Sequence, residues 1–458
     1  MVKSHGFGWK VRKKLDTMGT PESENLELAN TDMKQSPLSK RPKVFYGYWM
    51  VAVTFLCLLM MSGAGNFVYS LFVIPLETDL GWNRGEIMIG FTIFFFMMGA
   101  ASPVVGRIVD RHGARKVIPA GALVMGIGFV LLSLMNERSL FYFGYFLVGT
   151  GAAAIGPVPT SAVVSNWFRK KRGTVIGLMS AGIGAGGVVL SPIVGHLIPE
   201  VGWRNSYLAL AVIVWVSIIP LSLLVIRTKP AEKGLSPDNL TTAETATANK
   251  SLVSDSSGLT LKMALSTSTF WLIVVAFLLS NFSNMGAVQA QVPHLDDIGF
   301  PTGTAAAALG AVGLGSAAGK FFFGWLCDQI APKYACMIGL CLQLVAIIML
   351  MNVGPASSTA MVWLYTLTLG FGIGSWFPTM SIMVSSSFGL ASYGAIFGVV
   401  NFAQALGTGS GPLMAGYFYD SMHTYHWAFV IFASLYAITM PAILMVRRPR
   451  NHLHNREA

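Results

Sequence analysis

The sequence predicts an all-α membrane protein, with twelve transmembrane helices in two pseudo-symmetric six-helix bundles. Three observations predict it. Of 458 residues, 53% are hydrophobic and only 11% charged, against about 25% charged in an ordinary soluble domain. So few charges cannot cover a water-facing surface, which excludes soluble, disordered and fibrous classes. Apolar runs of spanning length recur twelve times, and the second half of the chain repeats the glycine pattern of the first.

A spanning helix needs about 20 mainly apolar residues. The candidates are 46–75, 84–106, 116–136, 140–166, 173–198 and 204–226, then 270–294, 304–326, 334–353, 359–386, 393–418 and 427–446. The polar stretch 227–268, rich in Ser, Thr, Ala and Asn, reads as a flexible cytoplasmic linker between bundles at 46–226 and 269–446. Residues 1–45 are polar, without the apolar core of a cleaved signal peptide, and 447–458 form a second tail. Lysines and arginines split 27 to 3 between the two sides, with Lys320 left inside a span. The positive-inside rule then places both termini in the cytoplasm, and the absence of a transit-like tail points to a bacterial-type plasma (inner) membrane. The net charge of +11 is therefore topological, and no nucleic acid is implied. The basic opening segment 7–15 can rest on anionic lipid as a short amphipathic helix, or be a merely solvated tail. The four cysteines lack metal-ligand spacing, and neither a metal nor a cofactor is expected.

Shifting the chain by 221 residues lays Gly149, Gly151, Pro157, Gly173, Gly177 and Gly195 on Gly370, Gly372, Pro378, Gly394, Gly398 and Gly416. The segment GRIVD at 106–110 meets GWLCD at 324–328 with a shift of 218. Two repeated halves with a substrate site between them near the bilayer midplane is a transporter architecture.

The loop GRIVDRHGARK (106–116) resembles the signature loop of the major facilitator superfamily. Gly106 and Gly113 suit close packing and a tight turn, and Asp110 suits a helix N-terminus. The resemblance implies a latch between the halves, formed by Gly106, Asp110, Arg111, Gly113, Arg115 and Lys116. Topology alone explains the basic residues but requires neither the aspartate nor the glycines. GWLCDQIAPK (324–333) keeps Asp328 but few basic residues, so a weaker second latch is expected there. YGYWMVAVTFL (46–56), LGWNRGEI (80–87), the 166–187 segment and GWR (202–204) resemble, within that superfamily, the monocarboxylate transporter and oxalate–formate antiporter branch.

A charge at bilayer depth is costly and marks a functional candidate. Apart from Arg84, Lys116 and Arg204, which open their spans, Lys320 is the one lysine or arginine inside a predicted span, with no acid in the central part of any span. An anionic substrate is then its counter-ion; snorkelling to the headgroups, about one turn away, is the alternative. The resemblance implies an arginine at this position holding the substrate carboxylate. Lysine keeps the charge but loses the bidentate fork. The eleventh span carries no second cation, which disfavours a dicarboxylate. Polar side chains share helix faces in several spans: Ser62, Asn66 and Tyr69; Tyr142 and Tyr145; Asn281, Asn284 and Gln291; Tyr365, Thr368 and Trp376; Asn401, Gln404 and Thr408. The resemblance implies that these spans line the cavity. Expected substrate contacts are Lys320, Asn66, Tyr69, Tyr145, Asn281, Asn284, Tyr365, Trp376, Asn401 and Gln404. Each Asn, Gln or Tyr alone is equally an interhelical hydrogen bond or an interfacial anchor. GIGAG (182–186) and GTGSG (407–411) read as packing faces, since no Gly-Lys-Ser/Thr follows.

The expected function is secondary active transport of a small organic monocarboxylate, lactate- or pyruvate-like, by alternating access. If Lys320 is neutral in an empty, dry cavity, an incoming anion would recruit a proton to it, giving carboxylate–proton symport. His294 is a second, weaker candidate proton carrier, and a solvated extracellular histidine is the reading the sequence favours. The alternatives are an exporter or importer of an apolar or neutral solute, or an oxalate–formate type anion exchanger. No catalytic motif is present, so no enzyme is expected. No protein partner is implied.

Overall fold

The computed structural model describes residues 45–239, 258–355 and 357–447. The basic 7–15 segment, the middle of the 227–268 stretch and the end of the chain lie outside the described residues. Of the separate unit Met1–Tyr46, only Phe45 and Tyr46 are described. Everything below concerns the unit from Gly47 onward.

All described regular structure is helical. Ten helices are long and apolar enough to cross a membrane. One of them, Arg172–Val225, is two spans joined at Gly202, whose φ of 78° is left-handed and breaks the helix. The helix Tyr393–Met422 completes twelve. It is less apolar because it carries Asn401, Gln404 and the GTGSG run.

In chain order, α1 is Gly47–Leu80 and α2 Arg84–His112, followed by α3 Ala114–Leu134 and α4 Arg138–Trp167. The spans 172–201 and 203–225 are α5 and α6. In the second half, α7 is Ser268–Asp297, α8 Thr302–Gln329 and α9 Pro332–Met351. The last three are α10 Thr359–Phe388, α11 Tyr393–Met422 and α12 His426–Leu444. Asn83 and Glu86 form a capping box that starts α2. Thr267 caps α7 by accepting from Phe270 N at 3.2 Å.

Three central helices are interrupted. α1 takes a π-turn at Gly63–Phe67, α4 breaks at Gly156 before Pro157, and α10 breaks at Gly374–Ser375 before Trp376. The breaks in α4 and α10 fall at nearly the same place in the two repeats. Proline just past each break removes a backbone donor that a continuous helix would use.

The two small-residue runs are packing faces, as read from the sequence. A Cβ at Gly182 or Gly186 would lie 2.4 Å from the carbonyl oxygen of Phe55 or Leu59, so α5 lies directly on α1. Gly407 and Gly411 set α11 equally close to Leu278 and Phe282 of α7. The repeated sequence thus produces a repeated helix pair. Exposed Tyr48, Trp49, Trp271, Trp325 and Tyr334 ring the end that carries the 107–116 loop, and Tyr417 and Trp427 mark the other. Such aromatic girdles sit at membrane–water interfaces. The ends of the 227–268 stretch are ordered. Pro230–Lys233 is a 3-10 turn, and Asp238 Oδ2 accepts from Arg169 N at 2.8 Å and Lys170 N at 2.7 Å.

Candidate transport site and gate

The halves meet along α2–α11 and α5–α8, most closely at the loop end. Asp110, near the end of α2, accepts from Gly394 N and Ala395 N, both at 2.8 Å. Those amides open α11, so the carboxylate caps the N-terminus of a helix in the other half. The approach requires glycine: a Cβ at Gly106 would lie 1.9 Å from the Gly394 carbonyl oxygen. Gly113 turns the chain into α3 at φ 80°.

Asp328 repeats the device. It accepts from Gly173 N at 2.6 Å, Thr174 N at 2.7 Å and the Thr174 hydroxyl at 2.6 Å. The expectation of a weaker second latch is therefore corrected. Both latches join a carboxylate to backbone amides, and the basic residues missing around Asp328 take no part in that join. Two of the basic latch candidates also act otherwise. Arg115 donates twice to the Leu223 carbonyl, at 3.1 and 3.0 Å, tying α3 to the end of α6 in the same half. Lys116 is exposed. Arg111 is exposed too, with no bond among the described residues.

One rung further from the loop end, the two crossings diverge. Between α2 and α11, Asn401 Nδ2 donates to Ser102 Oγ at 3.0 Å, and a Cβ at Gly398 would lie 2.4 Å from Ser102 O. At the repeat-related rung between α5 and α8, Gly177 stands equally close to the Lys320 carbonyl. Ser102 and Lys320 are thus structural counterparts, separated by the same 218 residues as the two latches. At the α2–α11 crossing the contact runs one turn further, where a Cβ at Gly99 would lie 2.6 Å from Ala405 Cβ; beyond that the faces part. A Cβ at Gly195 or Gly416, on the faces that carry Gly173 and Gly394, would meet no atom within 4 Å among the described residues. The same holds for Gly310 and Gly313, on the α8 face of Gly324. The halves are closed at the loop end and separate toward the other.

Lys320 sits where that separation begins. It is only 6% exposed, while the adjacent Phe321, on the lipid side, is 53% exposed. Gly177 and Gly374 clasp its backbone from α5 and α10, and Ser316 and Gly313 continue its face outward. No acidic side chain pairs with it among the described residues. It lies nine residues before the helix end at Gln329, roughly 13 Å at the α-helical rise. Placing it one turn from the end underestimated that depth, and its burial is contrary to snorkelling.

Of the other expected substrate contacts, some gather near this level. Trp376 is half-buried two residues after Gly374, and Asn401 is buried at the α2–α11 crossing. Gln404 lies one turn beyond Asn401, its Oε1 enclosed and without a partner. Asn66 is half-buried in the π-turn of α1. Others are turned into the cores of their own halves, a correction to the sequence-based set. Tyr69 donates to the Ile87 carbonyl, and Tyr145 shares a 3.0 Å hydroxyl contact with Tyr207 of α6. Asn281 donates to Phe277 O in its own helix at 2.8 Å, and Asn284 accepts from Tyr436 of α12 at 2.5 Å. Tyr365 is fully buried and faces Gln291. His294 is half-buried rather than solvated, with its ring edge-on to Phe429 at 5.1 Å.

The major facilitator superfamily profile matches residues 54–412. The chain belongs to the major facilitator superfamily. Among curated relatives it is 22% identical to the oxalate:formate antiporter of Oxalobacter formigenes, over 80% of this chain and 84% of that one. It is 23% identical to monocarboxylate transporter 13 of Bos taurus, over 72% and 73%. It is also 29% identical to multidrug resistance protein MdtL of Escherichia coli O9:H4 (strain HS), over 39% of this chain and 46% of that one. Among solved structures, the proton:xylose symporter XylE superposes with a TM-score of 0.69 at 14% identity, covering 88% of this chain and 96% of that one. FucP in the outward conformation superposes with a TM-score of 0.66 at 14% identity, covering 88% and 100%. The protein is a major facilitator transporter embedded in a membrane, not an enzyme.

For a facilitator that must open alternately, sequence reasoning missed several residues. Ser102 forms a bond between the halves, and Tyr207 and Tyr436 occupy two of the expected site residues. The signal for Ser102 was available, because extending the GRIVD–GWLCD match by four residues pairs it with Lys320.

Proposed function

We propose that this facilitator carries small organic monocarboxylates, of lactate or pyruvate size, by alternating access coupled to a proton. The observation that carries the proposal is Lys320, a buried amine without an acidic partner among the described residues, at the level where the halves part. Burying a charge with no counter-charge is expensive, and a carboxylate arriving through the opening supplies one. One lysine matches one carboxylate. The α11 face offers the neutral Asn401 and Gln404 where a second cation would serve a dicarboxylate, and Gln404 Oε1 is an acceptor for a substrate hydroxyl. The likeness to an oxalate:formate antiporter and to monocarboxylate transporter 13 supports an organic anion.

In this proposal the loop end is cytoplasmic, as are both termini, and the chain lies in the plasma (inner) membrane. The six-helix halves 46–226 and 269–446 rock about the site, and the linker 227–268 keeps them joined. The latched form faces outward, and breaking the Asp110 and Asp328 caps exposes Lys320 to the cytoplasm. The proton arrives at Lys320 when a neutral amine meets the anion. The likeness to MdtL favours a second reading, export of a neutral or apolar solute, in which Lys320 is a structural residue.

Counterflow of labelled lactate into proteoliposomes preloaded with lactate, pyruvate, acetate, formate or oxalate tests the proposal. Saturable exchange with the monocarboxylates and weak exchange with oxalate is expected. Exchange with oxalate and formate alone would move the assignment to anion exchange. No flux with any acid would remove it.

A further inference from the structure

The second half contains polar atoms that its fold leaves unpaired. Asn284 Nδ2, Gln291 Nε2 and His294 Nε2 are enclosed and lack a hydrogen-bond partner among the described residues. Gln291 is fully buried and Asn284 is 5% exposed. Buried amide donors are almost always satisfied, so three orphans on one stretch of one helix need a cause. They lie on neighbouring faces of α7, with the small, buried Ala287 between the two amides and the Phe432 ring of α12 packed against the neighbouring Gly286. Across from them stand hydroxyls of two other helices. The Tyr436 hydroxyl of α12 donates to Asn284 Oδ1 at 2.5 Å. The Tyr365 hydroxyl of α10 faces Gln291 Oε1 at 3.5 Å, long for a direct bond between these groups.

Depth orders these groups. Measured from the open end at the helical rise, His294 lies about 5 Å in, Gln291 and Tyr365 about 9 Å, and Tyr436 and Asn284 about 15–20 Å. Asn281 follows at about 24 Å, and Lys320, counted along α8, at about 27 Å. The series descends from the open end to the depth of Lys320 along helices of one half. We infer that this polar file is a hydrated proton path from the open end to Lys320, with His294 at its mouth. The inference rests on the proton-coupled reading above.

The chemistry is a relay. Unpaired amide donors and tyrosine hydroxyls hold waters in a site that is polar and enclosed, and a hydronium proton passes along them by exchange of O–H bonds. The last hydronium gives its proton to the neutral Lys320 amine, breaking an O–H bond and forming an N–H bond as the carboxylate docks, and leaves a neutral water in the file. At the mouth, His294 is hydrogen-bonded to the Leu350 backbone through its ring. Its Nε2 is enclosed and has no partner among the described residues. The charged and titratable groups around it are Asp297 of its own helix and His426 at the start of α12. Tyr425 packs against the ring, and Tyr419 of α11 donates to Asp297 at 3.3 Å. A separate path lets the proton reach Lys320 while the substrate fills the opening.

The test separates proton movement from carboxylate movement. Exchange of labelled for unlabelled lactate needs no net proton transfer, whereas uptake driven by a pH gradient does. Gln291→Leu keeps the size of the side chain and removes the donor from the middle of the file. In full-length protein in proteoliposomes, this variant should cut gradient-driven uptake tenfold or more and leave counterflow within twofold of wild type. His294→Gln should reduce gradient-driven uptake less, and it provides the same comparison if Gln291→Leu does not fold. Equal loss of both fluxes, or loss of neither, overturns the file. If the wild type exchanges lactate but acidifies nothing during net uptake, the coupled reading fails first and the file with it.

Discussion

Replacing Asp328 by asparagine should release the loop end of the transporter. The carboxylate accepts two backbone amides and one hydroxyl from the start of α5, at 2.6–2.7 Å. Hydrogen bonds to a charged group contribute about 1.5–3 kcal/mol each, and a negative charge at a helix N-terminus adds about 0.3–1 kcal/mol. Asparagine keeps one acceptor, turns an NH2 toward a backbone N–H and loses the charge. A net loss of about 2–3 kcal/mol in the closed state relative to the open one follows, or roughly 30- to 150-fold in their ratio. The readout is the distance between spin labels at the exposed positions Arg111 and Tyr334, one in each half at the loop end. The exposed Cys341 is first replaced by serine, and the other three cysteines are buried. Wild type should give one short distance, and Asp328→Asn a second, longer population. Asp110→Asn should shift the balance by a comparable amount, because it removes two bonds of the same kind. An unchanged distribution in Asp328→Asn, with a large change in Asp110→Asn, would refute the equivalence of the latches.

Gly106→Ala should prevent closure, since its Cβ would lie 1.9 Å from the Gly394 carbonyl oxygen; the same label pair should show a dominant long distance and transport should be lost. Arg115→Ala should lower thermal stability by about 1–2 kcal/mol through loss of its bonds to Leu223, yet leave the label distance unchanged, because it acts within one half. Tyr207→Phe should cost about 1 kcal/mol by removing the hydroxyl contact with Tyr145, without altering the half-saturating substrate concentration. A large rise in that concentration would return Tyr145 to the substrate site.

The fold was legible because its signals are collective. Twelve apolar runs and a repeat in register do not depend on any one residue, and Gly173 and Gly394, matched by that repeat, are the residues whose amides receive Asp328 and Asp110. What was not legible depended on the neighbour across a helix face. Tyr69 and Tyr145 share helical spacing with other polar residues, but periodicity gives a direction and not the helix that meets it. Ile87 and Tyr207 meet these two. The strength of the second latch was misjudged because its partner is the backbone of α5, which no side chain in 324–333 announces. Lys320 was legible as a lone charge, whereas its depth required the true end of α8 at Gln329.

Lactate counterflow compared among wild type, Lys320→Gln and Lys320→Arg tests the central claim most directly. Exchange should be lost in Lys320→Gln and retained in Lys320→Arg, which keeps the charge at the same depth. Saturable lactate exchange in Lys320→Gln, at the wild-type half-saturating concentration, would contradict the claim.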